Sequence, residues 1–254
     1  MSYDLFTRIL LAISLIVAAI IFPVLFFIAA PYGRYARKGW GPHLPNWLGW
    51  LLMESISPSV MLVMFIVGDV PKTPTLTLFL LMWEAHYIHR AFIYPFTLRD
   101  KWKPMPLVVM FMGATFNMVN AFLNGRYLFD LSGSRYGLSW LGTPQFIFGA
   151  LLFMIGFIIN RHADNTLRGL RAGGEIGYKI PYGGLYRYIS CPNYFGEIVE
   201  WIGWAIATWS LTGFGFAIWT FANLAPRARA HHQWYHENFR EYPAERKALL
   251  PGLW

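Results

Sequence analysis

Charge is what this sequence is short of. Only 13% of its residues are Asp, Glu, Lys or Arg, against roughly 25% in ordinary soluble domains. A water-exposed globule is hard to build from so few charges, and a polytopic membrane protein is the first reading. Cysteine is nearly absent as well. Cys191 stands alone, which excludes an internal disulfide framework and a Cys-based zinc site. Neither a low-complexity tract nor an internal repeat of the transporter kind is visible, so residues 1–254 read as a single domain. Lys and Arg outnumber Asp and Glu by 21 to 13, for a formal net charge of +8. They are spread over the stretches between apolar segments and nowhere cluster on a soluble domain, so nucleic acid is not an expected partner. The excess fits membrane orientation and attraction of an anionic cofactor instead. No metal is expected either: in RARAHHQWYHENF, His231 and His232 are neighbours that point different ways on a helix, and no carboxylate stands at HExxH spacing.

What the chain has in abundance is apolar surface, 56% of residues being hydrophobic and 19% aromatic. Crossing a bilayer takes about 20 apolar residues. Spans are expected near Leu5 to Ala30, Trp47 to Gly68, Thr75 to Phe96, Pro106 to Asn124, Pro144 to Asn160, Tyr194 to Ser210 and Phe214 to Pro226. The last two are short and could be one broken helix, giving six spans rather than seven; a turn at Ser210 to Gly213 favours seven. The first run is too long for a signal-peptide core and is expected to be retained. Sixteen Lys and Arg fall in alternate loops and the tail, against four (Arg8, Lys72, Arg126 and Arg135) on the other side. The positive-inside rule then puts the N-terminus outside or lumenal and the C-terminus in the cytoplasm. The fold class is all-α with seven transmembrane helices, in an endoplasmic reticulum or bacterial inner membrane, and a monomer is the expected form.

Polar residues interrupt these apolar runs at helical spacing. Asn160, Asp164, Arg168 and Arg171 fall at i, i+4, i+8 and i+11, placing an amide, a carboxylate and two guanidiniums on one helix face. Asn193, Glu197, Glu200, Trp201 and Trp204 form a second stripe, and Arg227, His231 and Tyr235 a third. Such stripes need one another or water. Between the first two, AGGEIGYKIPYGGLYRYISC combines glycine pairs with Lys179 and Arg187, so backbone N–H groups and cations can approach phosphates. The second span carries Glu54. The third carries Glu84, His86, Tyr87, His89 and Arg90, and a structural ion pair of Glu54 or Glu84 with Arg90 is one reading of them. In the other, Glu54 stays protonated in an apolar pocket and, with the Tyr87 phenol, donates hydrogen bonds to a substrate oxygen. Asn117, Asn120 and Asn124 read as interhelical glue.

The runs NYFGEIVEWIGWAIATWS, GEIGYKIPYGGLYRYIS, RARAHHQWYHENFREYPAERKALLPGLW and AHYIHRAFIYP resemble the steroid 5α-reductase family (3-oxo-5α-steroid 4-dehydrogenases), from about Pro31 to Trp254. The resemblance implies a membrane reductase that uses NADPH to reduce the 4,5 double bond of a 3-oxo-4-ene steroid. It also implies that Glu54 and Tyr87 bind the 3-oxo group. Tyr32, Arg90, Asn160, Asp164, Arg171, Tyr178, Asn193, Glu197, His231 and Tyr235 match the family's cofactor positions, with Lys179 standing where some relatives have Arg. Trp50, Phe116 and Trp201 match positions lining the steroid cavity. Glu84, Trp219 and Asn223 depart from the family pattern. Enoyl-CoA and polyprenol reductases share the chemistry, an isoprenylcysteine carboxyl methyltransferase shares part of the C-terminal pattern, and a sterol-binding protein without chemistry is the non-enzymatic alternative.

Overall fold

The computed structural model describes residues 3–28, 33–35, 39–99, 101–170 and 177–254. Among these described residues, seven long helices occupy the seven apolar segments: α1 Leu5–Phe27, α2 Asn46–Val67, α3 Pro74–Ile88, α5 Leu107–Arg126, α6 Pro144–Gly169, α7 Pro192–Thr208 and α8 Leu211–Asn238. A short α4, Tyr94–Thr97, continues α3 after a π turn at His89–Ile93. The fold is mostly helical, with one addition that helical periodicity does not announce: an antiparallel ribbon of β1 His43–Pro45 and β2 Pro104–Pro106. Each strand runs directly into a helix, α2 or α5, so the ribbon ties two helix starts together.

Among the described residues, four segments are long and apolar enough to cross a membrane: α1, α2, α5 with its π-helical extension to Leu131, and α6. As uninterrupted helices α3 and α7 are shorter, at 15 and 17 residues, and the second half of α8 is polar. Two helices extend past the spans expected from hydropathy. Helix α6 continues to Gly169, which puts Asn160, Asp164 and Arg168 on one element. Helix α8 begins at Leu211, so the turn before it shrinks to Trp209 and Ser210. Trp209 closes α7 in the left-handed region (φ 47°) with its N–H on the Ala205 carbonyl at 2.9 Å. Ser210 Oγ accepts from Gly213 N at 3.0 Å and caps α8.

The chain forms two compact units. The first comprises Met1–Ser14, Ala30–Ile147 and Ser210–Gly213; the second comprises Leu15–Ala29, Phe148–Trp209 and Phe214–Trp254. In the first, α2 packs along α5 and against α3. Thr73 accepts from Leu76 N at the start of α3, with Pro74 filling the first helical position. Gly113 on α5 faces Met53, and a Cβ there would stand 2.8 Å from the Met53 sulfur. At the end remote from the ribbon, Tyr3 stacks on Tyr127 at 4.8 Å, and Arg126 pairs with Asp130 at 2.9 Å and with Asp4 at 3.4 Å.

In the second unit, α6 and α7 meet backbone to backbone. A Cβ on Gly149 would lie 2.3 Å from Ala207 N, one on Gly156 2.3 Å from Glu200 N, one on Gly196 2.5 Å from Asn160 N and one on Gly203 2.3 Å from Phe153 N. These glycines recur at seven-residue spacing on each helix, so one face of each is bare and the axes close together. The core beside this contact holds Trp201, Trp204, Phe153 and Phe216.

Candidate active site

Each unit contains a buried polar centre. The one in the first unit is built on Glu54 of α2. Its Oε1 lies 3.9 Å from Arg90 Nε, both side chains being largely enclosed. The π turn sets Arg90 and the following Tyr94 against the same indole: the guanidinium sits 4.6 Å above Trp50 and 4.9 Å above Tyr94, whose rings meet edge-on at 5.3 Å. A planar cation between two aromatic faces is held in orientation as well as in place. On the other side of Glu54, Asn117 of α5 donates from Nδ2 to Glu54 Oε2 at 3.2 Å and to the Met53 carbonyl at 2.8 Å. Tyr87 is buried on the neighbouring α3, packed on Trp83 at 5.1 Å and on His86 at 4.9 Å. Phe116 is half-buried next to Asn117 in the chain. Glu84, one helical turn before Tyr87, is half-buried, and its Oε1 has no hydrogen-bond partner.

The structure therefore shows a Glu54–Arg90 pair, as one sequence reading held, and it puts Arg90, which the resemblance assigns to the cofactor, at the carboxylate expected to meet substrate. Asn117 was missed as part of this centre. Of the three asparagines read as interhelical glue, Asn120 and Asn124 bond within α5, Asn124 Nδ2 donating to the Asn120 carbonyl at 3.0 Å. Asn117 bonds across to α2. Gly113, one turn earlier on α5, was the signal: it marks the face that approaches another helix.

The centre in the second unit collects four of the expected cofactor residues. Asn160 Nδ2 donates to the Asn193 carbonyl at 2.9 Å and to Glu197 Oε2 at 3.4 Å, and Asn193 Nδ2 donates to Asp164 Oδ1 at 3.2 Å. Arg161, which the spacing argument did not single out, donates from Nε to Asn160 Oδ1 at 3.2 Å and pairs with Asp164 Oδ2 at 3.6 Å. The glycine contacts explain the convergence, since with backbones touching through Gly156 and Gly196, the polar ends of α6 and α7 stand side by side. Beneath them Tyr186 donates to the Ala163 carbonyl at 3.3 Å. Burial, followed by the nearby Asp164 carboxylate, holds its phenol well above the usual range and hence protonated.

Helix α8 adds His231, whose Nε2 lies 3.1 Å from the Tyr194 hydroxyl, while Arg227 covers the Tyr194 ring at 5.3 Å. Tyr235 is buried and stacked on Tyr242 at 5.0 Å, and Tyr178 meets Trp234 at 5.0 Å. Lys179 is exposed. His232 faces elsewhere: its Nδ1 is 2.6 Å from Ser190 Oγ, which is 2.7 Å from the Tyr242 hydroxyl. Burial, then His236 and Lys247, pushes the His232 imidazole down to about 4. Trp201 is fully buried in the core of the second unit. Tyr32 and Arg171, also expected at the cofactor, lie outside the described residues. Among the described residues no cluster of His, Cys, Asp and Glu has the makings of a metal site.

The residues of this centre suit a nucleotide. Asp164, its Oδ2 buried beside the Arg161 guanidinium, and Glu197 across the same group are carboxylates of the kind that accept from ribose hydroxyls, beside amides that both donate and accept.

Apolar helices around buried carboxylates, amides and guanidiniums define an integral membrane protein with the equipment of an enzyme. Sequence comparison then specifies which one. The profile of the 3-oxo-5-alpha-steroid 4-dehydrogenase family matches residues 103–254. The chain is 43% identical over 231 residues to 3-oxo-5-alpha-steroid 4-dehydrogenase 1 of Bos taurus, covering 89% of this chain and 88% of that one. It is 42% identical over 234 residues to the steroid 5-alpha-reductase DET2 of Gossypium hirsutum, covering 91% and 90%. With 3-oxo-5-alpha-steroid 4-dehydrogenase 2 of Sus scrofa it shares 40% over 227 residues, 87% of each chain. The chain belongs to the 3-oxo-5-alpha-steroid 4-dehydrogenase family.

Proposed function

We propose that this protein reduces the 4,5 double bond of 3-oxo-4-ene steroids with NADPH. The observation that carries the reading is the Glu54 centre, an enclosed carboxyl bracketed by Arg90 and Asn117 with Tyr87 buried on the adjoining helix, in a chain of this family. When bound, the reduced nicotinamide supplies hydride to the β-carbon of the enone. The chain's own part is to stabilise the charge that appears on the 3-oxo oxygen. Tyr87 and a protonated Glu54 donate hydrogen bonds to that oxygen, and the Arg90 cation lowers the energy of the developing negative charge. A donor aimed at such charge contributes about 3 to 4 kcal/mol. The enolate then takes a proton at the α-carbon from solvent or a nearby side chain, so that hydride and proton together add the two hydrogens.

Cofactor binding falls to Asn160, Asp164, Asn193 and Glu197, with Arg90, His231, Tyr235, Tyr178, Lys179, Tyr32 and Arg171 completing the set implied by the family. The family resemblance assigns Trp50 and Phe116 of the first unit, and Trp201 of the second, to the steroid. Each of the seven long helices crosses the bilayer, α8 by its apolar first half, with the N-terminus outside or lumenal and the C-terminus cytoplasmic, in an endoplasmic reticulum or bacterial inner membrane. The detergent-purified monomer, given NADPH and progesterone or testosterone, is expected to oxidise the nucleotide and to yield a steroid two hydrogens heavier. NADPH binding without reduced steroid would move the search to enoyl-CoA and polyprenol substrates. Binding of S-adenosylmethionine in place of NADPH would replace the reductase reading with a methyltransferase.

A further inference from the structure

The polar face of α5 holds a group that the proposed reaction has not used. Asn117 is 4% exposed, and its single amide nitrogen serves two acceptors on α2, the Met53 carbonyl at 2.8 Å and Glu54 Oε2 at 3.2 Å. That network fixes the amide's orientation: turned over, its oxygen would face the Met53 carbonyl and a Glu54 oxygen, acceptor against acceptor. The carboxyl is thus gripped through the same nitrogen that is anchored to its own helix. Gly113, one turn away on the same face of α5, keeps the two helices close enough for so short a side chain to reach.

The geometry points to Asn117 as the positioning residue that fixes the plane of the Glu54 carboxyl. Its amide donates to Oε2 at 3.2 Å while Arg90 Nε stands 3.9 Å from Oε1, so the carboxyl is held from both sides. Asn117 thereby keeps the carboxyl from rotating out of line with the substrate carbonyl. Asn117 touches neither substrate nor cofactor in this account and acts through Glu54 alone. The inference rests on the reading of Glu54 as a donor to the 3-oxo group.

A double-mutant cycle of Asn117→Ala and Glu54→Gln, on the full chain in detergent with NADPH and progesterone, tests it. Asn117→Ala is expected to lower kcat about tenfold, the size of effect a lost buried hydrogen bond to a carboxyl produces, with the KM for NADPH within twofold of the parent. In the Glu54→Gln background the same substitution should change kcat by less than twofold, because a residue that acts through Glu54 has nothing left to position. A merely structural role would lower both backgrounds equally, and that additive result overturns the inference, as does an Asn117→Ala enzyme with the parent kcat. Asn117→Ser, which satisfies its hydroxyl within α5 and does not reach Glu54, takes the place of the alanine variant if that one does not fold, with the same expectation. A Glu54→Gln enzyme with the parent kcat would instead remove Glu54 from the chemistry, and the inference with it.

Discussion

The two compact units bring helices together in different ways. In the first, Gly113 of α5 faces the flexible end of Met53, and the helices are joined across that contact by the side chain of Asn117. In the second, four glycines press the backbones of α6 and α7 against each other, and Asn160, Asp164, Asn193 and Glu197 take their positions from that contact. A side-chain contact can adjust and a backbone contact cannot. The distinction matches the proposed division of work, in which the Glu54 centre meets substrates that vary and the α6–α7 centre holds a cofactor that does not.

The largest effect expected from this contrast is on folding. Gly156→Ala places a methyl group 2.3 Å from the Glu200 backbone nitrogen. It should destabilise by about 3 kcal/mol or more, since overpacking costs about 1–3 kcal/mol even where side chains can give way. Gly113→Ala meets the Met53 side chain, whose sulfur can rotate away, and alanine's gain of about 1 kcal/mol in helix propensity offsets the crowding. Thermal unfolding in detergent should show a clear fall in Tm for the first and little change for the second. Equal losses would break the comparison.

A smaller effect separates the two centres by function. Asp164→Asn keeps an acceptor for Asn193 but turns an amide NH2 toward Arg161 and removes the buried carboxylate oxygen. The KM for NADPH should rise about tenfold, the weight of one hydrogen bond to a charged group, while the steroid KM stays within twofold. A rise in the steroid KM alone would show that the α6–α7 centre had been misread.

The smallest effect concerns the polar second half of α8. His232 is held neutral in the folded protein, its imidazole pushed down to about 4, against about 6.5 in an unfolded chain. Between those values the unfolded chain binds a proton that the folded one does not, so stability falls as pH drops through this window and is intact above about 6.5. The Tm of His232→Gln should fall less than that of the parent between pH 7 and pH 4. Parallel curves would mean that other groups carry the acid sensitivity.

Much of this was legible in the residues. The hydrophobic runs gave all seven long helices, and i, i+4 spacing put Asn160 with Asp164 and Asn193 with Glu197 on their respective faces. What spacing along one helix does not contain is the partner across an interface. Asn117 was therefore set aside as glue although it holds Glu54, and Arg161 went unremarked although it grips both Asn160 and Asp164. The seven-residue recurrence of glycine on α6 and α7 was present in the chain, and its meaning appears only when the two helices are laid together. The ribbon of His43–Pro45 with Pro104–Pro106 joins stretches some 60 residues apart by backbone hydrogen bonds, for which three-residue strands leave no periodic trace.

The claim that the chemistry of the carbonyl belongs to α2 and α3 while the cofactor is held elsewhere is tested most directly by Tyr87→Phe, which removes one hydroxyl and no volume. Steroid turnover and NADPH affinity would be measured on the same preparation. The account predicts that kcat falls by about a hundredfold or more, as for loss of an oxyanion donor, with NADPH affinity nearly unchanged. Full turnover in that variant, or loss of turnover through loss of NADPH binding, would contradict it.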